Sequence, residues 1–170
     1  MRMVVADPSL VLLVGPAGAG KSTFAAAHFQ PVEIVSSDAL RQMLSNDPAD
    51  QGASAEAFRV LSLLIEGRLR RRLMTVVDAT SLRAANRTRY RALGARYGIP
   101  VVAIAFDLPT ATFHGHNRGR DGRVVDDEVV DRQIEQMQRA LATLPGEGYA
   151  ALYVLRQPPT SGDIEVQRTA

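Results

Sequence analysis

The sequence predicts an α/β fold in which a parallel sheet of about five strands has helices on both faces. Short, wholly apolar segments such as residues 10–14 (LVLLV) are typical of strands that are buried on both sides. Between these segments lie longer stretches in which apolar residues recur at helical spacing. This alternation indicates a parallel sheet, because each helix returns the chain to start the next strand in the same direction.

Each predicted strand is a short apolar run that ends at polar or glycine residues. The first is followed by a glycine-rich turn, and the second, which is weaker, ends at Ser36, Ser37 and Asp38. In chain order, the predicted strands are residues 10–14, 32–35, 75–79, 101–106 and 149–155.

The predicted helices follow from apolar spacing and from breakers at their ends. The stretch 54–72 is amphipathic, with apolar residues at positions 58, 61, 64, 65 and 69. Proline follows the short second helix and also the last one, at Pro48 and Pro145. In chain order, the predicted helices are residues 22–29, 39–44, 54–72, 84–97, 110–118 and 127–144.

Length and composition limit the class of protein. A chain of 170 residues fits one domain over 1–170, and 46% hydrophobic residues exclude a disordered chain. Cysteine is absent, which excludes a disulfide framework, a thiolate metal site and a cysteine nucleophile and fits a cytoplasmic protein. No apolar run approaches the ~18 residues of a membrane span, so we expect no membrane partner. The tail 157–170, which contains PPTSG, is typical of a linker and favours an N-terminal module of a longer protein.

The segment GPAGAGKS at residues 15–22 matches the phosphate-binding pattern G-x-x-x-x-G-K-[ST]. Its glycines allow turns that point successive N–H groups toward an anion at the start of a helix. Lys21 is the single lysine among 20 basic residues, and its compact ammonium suits a site between phosphates better than a planar guanidinium. An ordinary glycine-rich turn is the alternative, but the preceding strand and following helix favour a phosphate site.

The motif, which is known as the P-loop, therefore predicts that the chain binds ATP or another nucleoside triphosphate (NTP), and it leaves open what happens to the γ-phosphate. Mg²⁺ (or Mn²⁺) is expected on the hydroxyl of Ser22. The candidate phosphate-binding residues are Gly15, Pro16, Ala17, Gly18, Ala19, Gly20, Lys21, Ser22 and Thr23.

Acidic residues follow two of the predicted strands. A kinase needs a carboxylate that accepts the proton of the attacking hydroxyl, and Asp38 is the candidate; the alternative is that it only caps the next helix. Arg41 lies on the same helical face and could bind a phosphate of the acceptor, although an arginine on a helix is usually solvated. Asp78 ends the third strand and could bind Mg²⁺ through water, or cap the following segment.

The glycine- and arginine-rich segment 116–123 (HNRGRDGR) suits a helical lid over the triphosphate, where an arginine would stabilise the transferring group. A solvated basic loop is the alternative. Nine arginines between residues 68 and 96 could form a nucleic-acid surface or simply solvated helix faces. Only nine aromatic residues are present, which argues against a stacking platform for many bases.

Together these residues resemble the 5′-kinase domain of bacterial polynucleotide kinase-phosphatase, an RNA repair enzyme. The resemblance spans essentially the whole chain. It rests on the P-loop, on IVSSD at 34–38, on TVVDAT at 75–80 and on the lid arginines. Gln136 and Met137 also fit the pattern of the family. The family often has arginine where this chain has His116, and asparagine where it has Ser81.

The resemblance implies a P-loop kinase fold with a helical lid, and transfer of the γ-phosphate to a 5′-OH end of RNA or DNA. It implies catalytic roles for Lys21, Asp38, Arg41 and Arg123, and a metal site at Ser22 and Asp78. It also implies nucleotide contacts from His116, Arg120 and Arg123, and acceptor contacts from Asp38, Arg41 and Gln51. Phosphatase and ligase-like modules in the same chain are further implied partners. A small-molecule P-loop kinase and a nucleotide-dependent binding switch without transfer remain alternative functions.

Overall fold

The structure is a computed structural model that describes residues 1–119, 124–158 and 164–170. Its strands are β1 (Arg2–Ala6), β2 (Leu10–Val14), β3 (Ile34–Ser36), β4 (Thr75–Asp78), β5 (Val101–Phe106), β6 (Ala151–Leu155) and β7 (Glu165–Thr169). Its helices are α1 (Lys21–His28), α2 (Ser37–Ser45), α3 (Ser54–Arg70), α4 (Ala84–Tyr97), α5 (Thr110–Arg118) and α6 (Asp127–Thr143). None of these helices is long and apolar enough to cross a bilayer.

Strands β2 to β6 form one parallel sheet in the order β3-β4-β2-β5-β6. The predicted α/β fold with a central sheet of five strands is therefore confirmed. The register pairs Ser36 with Asp78 and Leu12 with Val77. Because the strands are parallel, the loops that follow β2, β3 and β4 all lie at one edge of the sheet, where ligands bind in folds of this type.

Two hydrophobic cores pack against the sheet, one on each face. Val11 and Leu13 of β2 belong to the core with α1 and α5, while the alternate residues of the same strand pack with α2, α3 and α4. All five residues of β2 are fully buried. Helix α6 contributes to both cores. The predicted placement of helices on both faces is confirmed, and it explains why β2 is apolar throughout.

The second predicted strand, at 32–35, is placed too early. Pro31–Glu33 instead forms a turn of 3₁₀-helix, and β3 begins at Ile34. The Glu33 side chain closes the turn by accepting a hydrogen bond from the N–H of Gln30 at 2.9 Å. The bounds of the other predicted elements differ by at most two residues from those in the structure.

The expectation of a linker over 157–170 is wrong for its last part, where Glu165–Thr169 forms β7. This strand pairs in parallel with β1, which the sequence analysis did not predict. Met3 and Val5 of β1 are fully buried in the core next to α1. The Tyr153 hydroxyl, on β6, joins this pair to the main sheet through hydrogen bonds with the N–H and C=O of Val4, at 2.8 and 2.9 Å.

An ion pair fixes β7 to the turn before β3. The guanidinium of Arg168 donates to both carboxylate oxygens of Glu33, at 2.8 and 2.5 Å, and its central carbon lies 5.6 Å from the centre of the Phe29 ring. These hydrogen bonds lower the pKa of Glu33 below its ordinary value of 4.5. The end of the chain is therefore an integral part of the domain.

A second ion pair, deeper in the fold, joins α4 to the segment after α6. Arg87 is only 1% exposed, and its Nη2 and Nε donate to the Glu147 carboxylate at 2.5 and 2.9 Å. Thr143 and Tyr149 also donate to Glu147, at 2.9 and 2.8 Å. The hydrogen bonds from Arg87 are the main reason that the pKa of Glu147 falls to about 2.

We predict that Glu147→Gln lowers the free energy of unfolding by about 3–5 kcal/mol near neutral pH, because it leaves the buried Arg87 charge uncompensated. A carboxyl group whose pKa is lower in the folded than in the unfolded state stabilises the fold when the pH is above its unfolded pKa. This stabilisation is lost as the pH falls through the pKa of the folded state. The difference in unfolding free energy between wild type and variant should therefore be constant above pH 4.5 and shrink toward pH 2.

Denaturant titration at a series of pH values measures this difference. Glu56→Gln is the matched control, because Glu56 forms only an exposed pair with Arg59 at 3.8 Å and should change the stability little. A difference for Glu147→Gln that stays constant down to pH 2 would contradict the assignment.

Candidate active site

The P-loop joins β2 to α1, which begins at Lys21. The backbone is left-handed at Gly18 and Gly20, with φ of 77° and 79°, as the motif requires. The side chain of Lys21 is buried, and its Nζ donates to the carbonyls of Gly15 and Pro16 at 2.9 and 2.7 Å. The predicted phosphate-binding lysine thus lies against its own loop, within the site that the sequence indicated.

Helix α5 packs directly against the P-loop. A Cβ atom at Gly18 would lie 2.2 Å from the carbonyl oxygen of Phe113, so only glycine fits at this contact. The Nδ1 of His116 donates to the carbonyl of Gly18 at 3.1 Å. His116 is therefore placed beside the expected nucleotide site. Arg120 and Arg123, the other predicted lid residues, lie outside the residues that the structure describes.

A cleft of about 430 Å³ opens beside the P-loop. Residues from the loop, from the start of α1 and from the end of α5 line it, and Ser22 and Thr23 are exposed there. Its size falls within the ~300–1,000 Å³ of ligand pockets. The cleft is next to the predicted phosphate-binding residues and is the natural position for the rest of a nucleotide.

Helix α6 contributes a residue that the sequence analysis missed. The Oε1 of Gln133 accepts a hydrogen bond from the N–H of Ala17 at 2.7 Å, so α6 fixes one amide of the P-loop. The sequence pointed to Gln136 and Met137, about one turn further along this helix. A glutamine in a helix resembles any solvated side chain, and no sequence signal showed that α6 would pass beside the loop.

His114 also joins α5 to α6. Its Nδ1 lies 3.2 Å from Asp127 and its Nε2 lies 2.9 Å from Asp131. The hydrogen bond with Asp127, followed by that with Asp131, raises the pKa of His114 above its ordinary value. Arg118 also donates to Asp127, at 2.6 Å. The two helices that contact the P-loop are thereby held to each other.

Asp38 lies in the first turn of α2, immediately after β3. Ser36 is the N-cap, because its Oγ accepts a hydrogen bond from the N–H of Ala39 at 3.4 Å. The alternative that Asp38 serves as the cap is therefore wrong. The Asp38 carboxylate accepts a hydrogen bond from Arg41 Nη1 at 2.6 Å, and its side chain remains 28% exposed. Asp38 is thus fixed in position while solvent reaches it.

Arg41 is buried, not solvated. Only 7% of the residue is exposed, and burial lowers the pKa of its guanidinium. Its Nε donates to the Ser54 hydroxyl at 3.0 Å, and that hydroxyl donates to Oε1 of Gln51 at 3.3 Å. The structure therefore brings together the three predicted acceptor residues, Asp38, Arg41 and Gln51, in one chain of hydrogen bonds.

Asp78 ends β4 and is 7% exposed. It pairs across the sheet with Ser36, so it lies between the acceptor residues and the P-loop strand. The next helix, α4, begins only at Ala84, which argues against a capping role. The oxygen donors of Asp78 and Ser22 suit Mg²⁺, which typically takes one or two protein ligands and otherwise water and phosphate. The described residues include no cluster of three or more His, Cys, Asp or Glu side chains that could hold a metal ion.

The loop between β4 and α4 departs from the resembled family at Ser81. This residue has φ of +48°, a left-handed conformation that asparagine tolerates better than serine. Its hydroxyl is buried without a hydrogen-bond partner among the described residues. The neighbouring Thr80 carbonyl accepts a hydrogen bond from the N–H of Gly15 at 3.0 Å, so this loop nevertheless supports the P-loop.

Comparisons with known proteins agree with this geometry. A family model described as an AAA domain (AAA_33) matches residues 10–144, which include the P-loop, Asp38 and Asp78. The chain belongs to this family. A search of curated proteins found no match.

Several solved structures share the fold of this family member. A presumed kinase from Chloroflexus aurantiacus is 14% identical, with a TM-score of 0.64, and the match covers 94% of this chain and 92% of the other. The AvrRxo1-ORF1:ORF2 structure with ATP is 17% identical with a TM-score of 0.66, over 83% of this chain and 50% of the other. The Pnkp1/Rnl/Hen1 complex is 23% identical with a TM-score of 0.53, and the match covers 64% of this chain and 38% of the other. At these identities the likeness establishes the P-loop kinase fold.

We predict that Gln133→Leu weakens binding of ATP roughly fivefold to tenfold, because the N–H of Ala17 loses its acceptor and the loop is less well ordered for phosphate. Isothermal titration with ATP and Mg²⁺ measures the dissociation constant. Gln138→Leu makes the same change at an exposed position of α6 and serves as the control. Equal affinities for the two variants would show that Gln133 does not order the loop.

Proposed function

We propose that the chain is a kinase that transfers the γ-phosphate of ATP, or of another NTP, to the 5′-hydroxyl end of RNA or DNA. The observation that supports this most directly is the Asp38–Arg41 pair. It places a fixed, solvent-accessible carboxylate at the end of β3, on the same sheet edge as the P-loop. A phosphoryl-transfer site needs this arrangement, with the base on one side of the transferred group and the phosphate cradle on the other.

In this proposal the P-loop amides and Lys21 bind the β- and γ-phosphates. Asp38 accepts the proton of the attacking 5′-hydroxyl and aligns its oxygen for in-line attack. Mg²⁺ or Mn²⁺, held by Ser22 and through water by Asp78, would neutralise charge on the phosphates. Arg123 and Arg120 are proposed to add positive charge from the lid.

Arg41 is proposed to act mainly through Asp38. Its guanidinium is engaged by Asp38 and Ser54, and Phe58 lies beside it at 5.9 Å. It therefore holds the carboxylate in one orientation. Gln51, at the exposed end of the same hydrogen-bonded chain, is proposed to contact the acceptor.

Support for a nucleic-acid acceptor comes from two sources. The motifs around Asp38 and Asp78 resemble those of polynucleotide kinase-phosphatases, and the Pnkp1/Rnl/Hen1 complex shares the fold. Phosphatase and ligase-like modules are proposed partners on the same grounds.

A small-molecule kinase is the second candidate. It is favoured by a gluconokinase from Sinorhizobium meliloti, with 18% identity and a TM-score of 0.54, which matches over 92% of this chain and 86% of its own length.

The two candidates differ in their acceptor. We expect transfer of label from γ-labelled ATP to 5′-OH oligonucleotides, no transfer to the same strands with a 5′-phosphate, and none to gluconate. Matched RNA and DNA strands assayed in parallel show whether the protein prefers an RNA or a DNA acceptor. Transfer to gluconate or another sugar without transfer to any oligonucleotide would favour the second candidate instead.

We predict that Asp38→Asn reduces the rate of transfer by about 10²–10⁴-fold while leaving ATP affinity nearly unchanged, because it removes the general base but not the phosphate cradle. Single-turnover transfer and ATP titration measure the two effects. Asp7→Asn is the control, because Asp7 is exposed and pairs with Arg168 at 3.4 Å, away from the edge of the sheet that bears Asp38. Full transfer by Asp38→Asn would remove Asp38 from the mechanism. Binding of ATP by the wild-type protein with no transfer to any acceptor is instead what a binding switch without transfer predicts.

A further inference from the structure

A second cleft, of about 250 Å³, opens between the start of α4 and the C-terminal half of α6. Arg83, Arg87 and Arg139 line it together with Gln136, and Leu82 and Ala140 provide apolar surface. None of these residues belongs to the active site described above. The cleft is smaller than the ~300–1,000 Å³ of pockets that enclose a whole ligand.

The surface inside the cleft is mostly apolar, but three arginines and no acidic residue are among the residues that line it. The charge of Arg87 is balanced by Glu147, as described for the fold. Arg83 and Arg139 are exposed. Arg139 forms an ion pair with Glu135 at 3.8 Å, but the two side chains are 71–80% exposed, so the pair contributes little. Two guanidinium groups can therefore turn toward an anion in the cleft.

The position of the cleft relates it to the phosphate site. The loop that leads to Arg83 is hydrogen-bonded to the P-loop through Thr80 and Gly15. On α6, Gln133 contacts the P-loop and Gln136, three residues later, lines the cleft. Three residues of helix span roughly 4.5 Å, so the cleft begins within about one turn of the P-loop contact.

We propose that this cleft binds a phosphodiester of the acceptor strand, downstream of its 5′-hydroxyl, through Arg83 and Arg139. This inference rests on the proposed function, since it requires a polynucleotide acceptor. Guanidinium groups match the geometry of phosphate oxygens, and the apolar surface from Leu82 and Ala140 suits the attached sugar. The small volume fits one backbone unit. Arg41, which is buried and engaged by Asp38, is poorly placed to supply this contact.

The site makes acceptor recognition depend on strand length. In this proposal a decanucleotide with a 5′-OH end contacts both Asp38 and the cleft, whereas a dinucleotide contacts only Asp38. Wild-type protein should therefore have a higher kcat/KM for the decanucleotide than for the dinucleotide. Binding should weaken as salt rises, because each phosphate contact releases counterions.

The test is the double variant Arg83→Glu/Arg139→Glu. We expect the ratio of kcat/KM for the decanucleotide to kcat/KM for the dinucleotide to fall roughly tenfold or more. We also expect the slope of log affinity against log salt concentration to become less negative by about one to two. Fluorescence anisotropy with a labelled 5′-OH decanucleotide measures this slope. Arg89→Glu is the matched control, since Arg89 is an exposed arginine of α4 that does not line the cleft.

The double variant Arg83→Gln/Arg139→Gln removes both positive charges without adding negative ones, so it is less prone to a folding defect. Thermal unfolding of all variants shows whether each one is folded. If this variant folds and keeps both the wild-type length ratio and the wild-type salt slope, the cleft is not an acceptor site. If wild-type protein phosphorylates no oligonucleotide and binds none, the proposed function and the cleft site are both wrong. Transfer to oligonucleotides with an unchanged ratio would overturn only the cleft site.

Discussion

The P-loop is held from three directions, and the rest of the site depends on this. The loop after β4 binds it through Thr80 and Gly15, α5 lies so close that no side chain fits at Gly18, and α6 holds the amide of Ala17. A phosphate cradle works only when its N–H groups point inward before the ligand arrives, because ordering them later would cost affinity. The packing of these three elements provides that order.

The proposed acceptor side depends on a different interaction, the partly buried ion pair of Arg41 and Asp38. Arg41 loses most of its hydration, and Asp38 with Ser54 replaces it. Replacing Asp38 with alanine would remove the oxygen that accepts the hydrogen bond of Arg41 and leave that buried guanidinium without this partner. Asparagine keeps an oxygen that Arg41 can bond and removes only the basicity, so it separates chemistry from stability better than alanine does.

Much of the fold could be predicted from the sequence because β2 is apolar throughout and the P-loop motif fixes where the first helix starts. Parallel register then places Asp38 and Asp78 at the same edge. The β1–β7 pair could not be predicted, since the sequence of β7 (EVQRT) has little apolar alternation and its partner is more than 150 residues away. The burial of Arg41 and Arg87 was equally hidden, because a paired arginine in a helix has the same sequence pattern as a solvated one.

The pairing of β7 with β1 also determines where Thr169 lies. Thr169 pairs with Ala6 and its carbonyl accepts a hydrogen bond from Asp7, only three residues before β2 begins at Leu10. The end of the chain therefore lies at the amino edge of the sheet, opposite the edge that bears the P-loop. An affinity tag, a reporter or a tether to a surface that is joined after Ala170 would therefore lie away from the P-loop and Asp38, so immobilisation at this point should leave that edge of the sheet open.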